Sequence, residues 1–209
     1  RAIELLREKT KGVRTFAMKD PRLPRVLPFW KKVFEICGLE ASYVIAVRHP
    51  LSVSTSLGAR DKLSEEKAHY LWLAHILPSI LETVHSLRVV VDYDRLMDSP
   101  GKEIRRLARS LRLEASLDLG ELLKFEEEFL EKKMCHSRYA AQQLREDPAV
   151  PSLVIELSDR LEKMATDELS VEAPEIEAFF SEAAKSFNKL SPALRYMTRQ
   201  DRQLSQSRE

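Results

Sequence analysis

The chain has 209 residues, 44% of them apolar and 32% charged, enough for one compact domain with a real core or for one domain plus a helical extension. Thirty-four Lys and Arg against 33 Asp and Glu leave a formal charge of +1, which excludes bulk electrostatic attraction to nucleic acid or an anionic membrane and confines any basic function to a local patch. No run approaches the about 18 uninterrupted apolar residues of a membrane span, and the opening RAIELLREKTKG is charged and amphipathic rather than signal-like, so a soluble chain is expected.

In chain order, Ile3, Leu5 and Leu6 open a helical pattern that reads as the continuation of an upstream segment. Val13 to Met18 follows as a first predicted strand. A helix is expected from Leu27 to Cys37, with Phe29, Trp30, Val33 and Phe34 on a 3.6-residue period and Gly38 as its stop. Tyr43 to Val47 reads as a second strand, Leu51 to Leu57 and Glu65 to His85 as helices, and Arg88 to Val91 as a third strand. Near-continuous apolar strands separated by helices imply a parallel sheet with right-handed crossovers. From Lys102 onward only helical periods remain: Ile104, Leu107 and Leu111; Leu122, Phe125 and Phe129; Leu153, Leu157, Leu161 and Met164; Ile176, Phe180 and Phe187. The expected layout is an α/β core over residues 1–113, a helical extension over 114–190 and a polar tail over 191–209.

The chemistry-bearing residues gather at the strand exits. The first predicted strand leaves through Lys19-Asp20-Pro21-Arg22 and the second through Arg48-His49-Pro50, and in a parallel sheet the carboxyl ends of strands line the ligand crevice. The plain alternative is a set of solvated loop charges. With Pro50 in the first helical turn, Ser52, Ser56 and Arg60 fall at i, i+4 and i+8 on one stripe. Together with Arg48 they suit a dianion such as a phosphate, because guanidinium forks supply charge and fixed donors while hydroxyls supply adaptable ones. The histidines, among them His49, His69, His75 and His136, show no metal-ligand spacing, and neither do Cys37 and Cys135. Two cysteines make no disulfide framework, so a reducing, cytoplasmic setting is expected. The acidic run Glu126 to Glu128 reads as a solvated helix face.

RHPLSVSTSLGAR resembles the 3′-phosphate-binding segment of PAPS-dependent sulfotransferases, in which an Arg at a strand end is followed eight residues later by a Ser, here Arg48 and Ser56. Arg60 occupies the place of a further Arg in the protein-tyrosine branch of that family. VVVDYDRLMDSPGKEIRRLARSL resembles the family's Y-E-D-L-x-x-D-P stretch and its following helix, and Tyr93 matches the tyrosine that contacts the adenine. KDPRLPRVLPFW resembles a segment of bacterial members, with Lys19 at the place of a lysine that stabilises the bridging oxygen. The stretches MCHSRY and LREDPAVPSLVIEL are similar to the C-terminal part of the same bacterial group.

The resemblance implies a P-loop-NTPase-like parallel sheet of the sulfotransferase type, incomplete at its N-terminus, with an α-helical C-terminal extension. It implies transfer of a sulfuryl group from PAPS to a small-molecule or glycan acceptor, without a metal, leaving adenosine 3′,5′-bisphosphate. Lys19 and Asp20 are the catalytic candidates, Asp20 as a base, and Arg48, Ser56, Arg60 and Tyr93 the nucleotide ligands. The departure is the missing Gly-rich cradle for the 5′-phosphosulfate: there are five glycines and no G-x-x-x-x-G-K-[ST]. The chain as given is therefore expected to be inactive alone, an upstream segment or a second chain completing the fold. The competing readings are a non-catalytic interaction domain that keeps the fold, and a P-loop kinase-like protein, which would need the same missing segment.

Overall fold

Strands β1 (Tyr43–Val47) and β2 (Arg88–Asp92) run parallel and in register, Tyr43 opposite Arg88 and Val47 opposite Asp92. The Tyr43 N–H donates to the Leu87 carbonyl at 2.9 Å, so Tyr43, Ile45 and Val47 turn their backbone groups toward β2, and Val44 and Ala46 turn theirs away. This is a computed structural model, and it describes residues 1–114, 117–125 and 138–206.

A parallel pair needs a crossover, supplied by α3 (Pro50–Asp61) and α4 (Glu65–Leu81). Helix α3 starts where Pro50 fits the first turn and His49 Nδ1 accepts the Leu51 N–H at 3.3 Å. Helix α4 starts at Ser64, whose hydroxyl accepts from the Lys67 N–H, with Glu65 and Glu66 suited to the positive end of the helix. Ahead of the sheet lie α1 (Ala2–Thr10) and α2 (Leu23–Cys37), and α2 ends as expected at Gly38, whose φ of 65° suits a residue without a Cβ. After β2 come α5 (Tyr93–Asp98), α6 (Pro100–Ser110), α7 (Leu119–Lys124), α8 (Ala141–Glu146), α9 (Ser152–Ala165), α10 (Pro174–Lys189) and α11 (Ser191–Gln206). No helix among the described residues is long and apolar enough to cross a membrane.

The alternation of the strands divides the core. Ile45, Val47 and Val90 join Trp72, Leu73 and Ile80 of α4, Val154, Leu157 and Leu161 of α9, and Ile176 and Phe180 of α10 in the main cluster. Val89 and Val91 face the other way, against Leu96, Leu107, Leu111 and Leu113. On that second face the β1 half, Val44 and Ala46, stays exposed.

Two expectations need correction. Residues 13–18 form neither strand nor helix, with a bend at Arg14, because a strand exists only with a ladder partner and among the described residues β1 pairs with β2 alone in a two-stranded sheet. Phe29, expected on the apolar face of α2, is exposed, while Leu27 and Val33 are the buried positions. The P-loop-like sheet expected from the resemblance is thus reduced here to a mixed α/β fold, mostly helical, with one small parallel pair.

A buried carboxylate ties the outer side of β2 to the helices. Glu103 on α6 is 1% exposed and accepts from Arg95 Nη2 at 3.1 Å and from Arg106 Nε at 3.0 Å. Arg106 also donates through Nη1 to Asp167 at 2.8 Å and through Nη2 to the Val90 carbonyl at 2.7 Å, which closes the β2 edge that β1 does not use. Removing one partner strands a buried charge. Arg106→Ala should therefore cost about 3 to 5 kcal/mol in urea unfolding, and adding Glu103→Gln to it should recover part of the loss.

His69 in α4 is fully buried, and neither ring nitrogen has a hydrogen-bond partner among the described residues. Burial lowers its pKa, against the opposing pull of Asp147, Glu65 and Glu66. The unfolded chain then takes up a proton near the ordinary value of about 6.5 that the fold refuses, so stability is retained above that pH and declines as the pH falls toward the lowered folded value. Urea midpoints should fall between about pH 7 and pH 5 with a slope contribution of up to about 1.4 kcal/mol per pH unit from this residue. His69→Leu should make the fall shallower, and an unchanged slope would contradict the assignment.

Candidate functional site

Because Val47 stands opposite Asp92, the residues that follow the two strands emerge at the same level. They are Arg48 and Tyr93. The Arg48 guanidinium carbon lies 4.7 Å from the Tyr93 ring centroid, within cation–π range, and Arg48 Nε is 3.7 Å from Asp94 Oδ1. Both charged side chains are about one-fifth exposed, so they are neither free in solvent nor sealed in the core. Asp92 caps α5 by accepting the Arg95 N–H at 2.9 Å, which fixes the turn that presents Tyr93 and Asp94. Burial raises the Asp92 pKa, with its backbone hydrogen bond working the other way.

A segment from far along the chain lies across these strand ends. The Tyr139 ring stacks on His49 with centroids 5.8 Å apart, and its hydroxyl is 2.8 Å from that of Thr55. Arg138 forks onto Asp98 at 2.6 and 3.0 Å. Residues 138 and 139 are thereby fastened to α5 and to α3. Burial lowers the His49 pKa, although Asp94 and the Ala140 backbone favour the charged form.

Of the residues singled out in the sequence, Arg48 and Tyr93 come together. The supposed stripe on α3 does not. Ser52 is fully buried, whereas Ser56 and Arg60 are exposed, because α3 enters the protein at its N-terminal half, where Pro50, Leu51 and Ser54 are also buried, and leaves it at the other end. Arg60 is engaged with its neighbour Asp61, Nη2 to Oδ2 at 2.7 Å. Lys19 is exposed. Asp20 accepts from the Arg22 N–H at 2.8 Å, from Nε at 2.9 Å and from Nη2 at 2.8 Å, and this grip holds its carboxyl far below the usual carboxylate range. A carboxylate so stabilised is a poor base at neutral pH. Among the described residues no hydrogen bond or ion pair joins Lys19 or Asp20 to the Arg48 cluster.

Sequence reasoning missed Asp94, Thr55 and the stacking role of Tyr139. Asp94 directly follows Tyr93 and Tyr139 ends the MCHSRY stretch, but neither contact has a local signal. Cys135, His136 and the run Glu126 to Glu128 lie outside the described residues. No group of three His, Cys, Asp or Glu among the described residues is placed to hold a metal ion. A separate shallow pocket, lined by Arg88, Val89, Ser110, Asp167, Leu169, Ser170 and Val171, sits at the opposite, N-terminal end of β2. Comparison with protein-family models, with curated proteins and with solved structures finds no match.

The Tyr139 contacts can be separated. Tyr139→Phe removes the hydroxyl pair and should cost no more than about 1.5 kcal/mol. Tyr139→Ala also uncovers His49, so a ring-proton NMR titration should show the His49 pKa rising toward the ordinary value in that variant and not in Tyr139→Phe.

Proposed function

We propose that the carboxyl end of the β1–β2 pair binds the 3′-phosphoadenosine portion of PAPS, and that the protein works in sulfuryl transfer to a hydroxyl or amine of a small-molecule or glycan acceptor. The observation that carries this reading is the placement of Arg48 beside Tyr93: a charged fork next to an aromatic face, the pair of groups that a 3′-phosphate and an adenine require. In this arrangement Arg48 already faces an anion, the Asp94 carboxylate. A phosphate dianion brings more charge and more acceptor oxygens than a carboxylate, so the nucleotide competes with Asp94 for the same guanidinium. Arg60 and Ser56 would serve as further donors to the 3′-phosphate, Arg60 after leaving Asp61.

The fit extends to one half of the donor. The residues at hand hold the 3′-phosphate and adenine, but the chain carries no Gly-rich backbone cradle for the 5′-phosphosulfate. In the transfer itself the bond between sulfur and the bridging oxygen of PAPS breaks, an S–O or S–N bond forms to the acceptor, adenosine 3′,5′-bisphosphate departs with the bridging oxygen, and the acceptor's proton passes to solvent. Lys19 is the residue proposed to stabilise charge on the bridging oxygen. Asp20, gripped by Arg22, is ill suited to take the acceptor proton.

A second reading, a nucleotide-binding domain without catalysis, is favoured by one specific observation. Asp20, the candidate base, is engaged with Arg22 two residues on, which leaves the catalytic half of the proposed site ungathered.

Calorimetric titration separates the site from a chance arrangement. Arg48→Ala should weaken adenosine 3′,5′-bisphosphate roughly ten- to a hundredfold, as expected for a charge-assisted contact of about 1.5 to 3 kcal/mol, and leave AMP almost unaffected. Asp94→Asn should tighten the bisphosphate by removing its competitor. Equal losses for the two nucleotides, or none for either, would take the 3′-phosphate role from Arg48.

A further inference from the structure

Strand β1 is paired along one edge only. The backbone groups of Val44 and Ala46 point away from β2 and meet no backbone partner among the described residues, and both side chains are exposed, Val44 at 53%. Such an edge is a ready seat for another extended chain. The same molecule carries a matching piece. Residues 13–18 belong to no helix or strand, and among the described residues their one backbone hydrogen bond runs from the Val13 N–H to the Thr10 carbonyl at 3.3 Å. Val13 and Phe16 stand about half exposed.

We propose that β1's open edge is the docking site for residues 13–18, which add to the sheet as a third parallel strand in a second conformation of the chain. The connectivity selects this occupant. Residues 13–18 lead into α2, 15 residues long, and α2 leads into β1, the strand–helix–strand order that a parallel neighbour needs. The tether gives the segment an effective concentration in the millimolar range, above that of a second copy at ordinary protein concentrations. Docking satisfies the outward groups of Val44 and Ala46 and takes Val13 and Phe16 partly out of water. It also carries Lys19 and Asp20 to the carboxyl end of the sheet, beside Arg48 and His49. Strand pairing stands independently of the nucleotide reading, whereas the gathering of Lys19 with Arg48 into one site rests on it.

Hydrogen exchange on the full chain tests the docking. Successive amides along a strand point to opposite sides, so of Thr15→Pro and Phe16→Pro one removes a bond that the docked strand makes, and both fall in a segment whose backbone is exposed in the undocked form. In the wild type the Val44 and Ala46 amides should exchange roughly tenfold or more slowly than in the disrupting variant, while Ile45, whose amide faces β2, stays unchanged. This protection should persist on dilution. Open-chain exchange at Val44 and Ala46 in the wild type, with and without saturating adenosine 3′,5′-bisphosphate, would overturn the proposal. So would protection that is lost on dilution, which would give the edge to a second copy. Protection without nucleotide binding by calorimetry would leave the strand in place and remove only the nucleotide reading.

Discussion

The in-register pairing of β1 with β2 is the constraint on which the candidate site depends. With Val47 level with Asp92, Arg48 and Tyr93 leave adjacent strands side by side, and their 4.7 Å contact follows. A slip of β1 by one residue would turn Ile45 and Val47 out of the main core and carry Arg48 away from Tyr93. Two arginines help to hold the register by pinning β2 at its N-terminal end and at its middle. Arg88, 6% exposed, donates to the Ile80 and Val171 carbonyls at 2.6 Å each, and Arg106 donates to the Val90 carbonyl at 2.7 Å. Site geometry and core packing are therefore one energetic unit, and damage to the Arg106–Glu103 contact acts on both.

Electrostatics in this protein are mainly local. Asp20 with Arg22, Arg60 with Asp61 and Arg145 with Asp159 neutralise each other on the surface, where such pairs contribute little to stability. Their effect is to commit each charge to a neighbour and keep it from a shared ligand. Arg48 and Asp94 are different in kind. They come from two strand exits, are mostly withdrawn from water and lie beside an aromatic ring, so an anion arriving there would meet a fork already oriented.

What was legible in the sequence was what local pattern dictates. Tyr43–Val47 and Arg88–Asp92 are short β-branched runs bounded by polar residues, and Gly38 marks the end of α2 because the chain needs a left-handed residue there. Residues 13–18 have the same strand pattern, but composition does not supply a ladder partner. Periodicity placed Ser52, Ser56 and Arg60 on one side of α3 and said nothing about depth, so the burial of Ser52 was invisible. The contact between Thr55 and Tyr139 spans 84 positions and depends on how the helical second half folds back over the strand ends, which no local window contains.

The central claim is that the level exits of β1 and β2 form a site for a 3′-phosphate. Phosphorus NMR of adenosine 3′,5′-bisphosphate titrated with the protein tests it most directly, because the two phosphates report separately. The account predicts that the 3′-phosphate resonance shifts and broadens markedly while the 5′-phosphate, which has no cradle in this chain, moves little. Equal movement of both resonances, a larger change at the 5′-phosphate, or no change at either would contradict it.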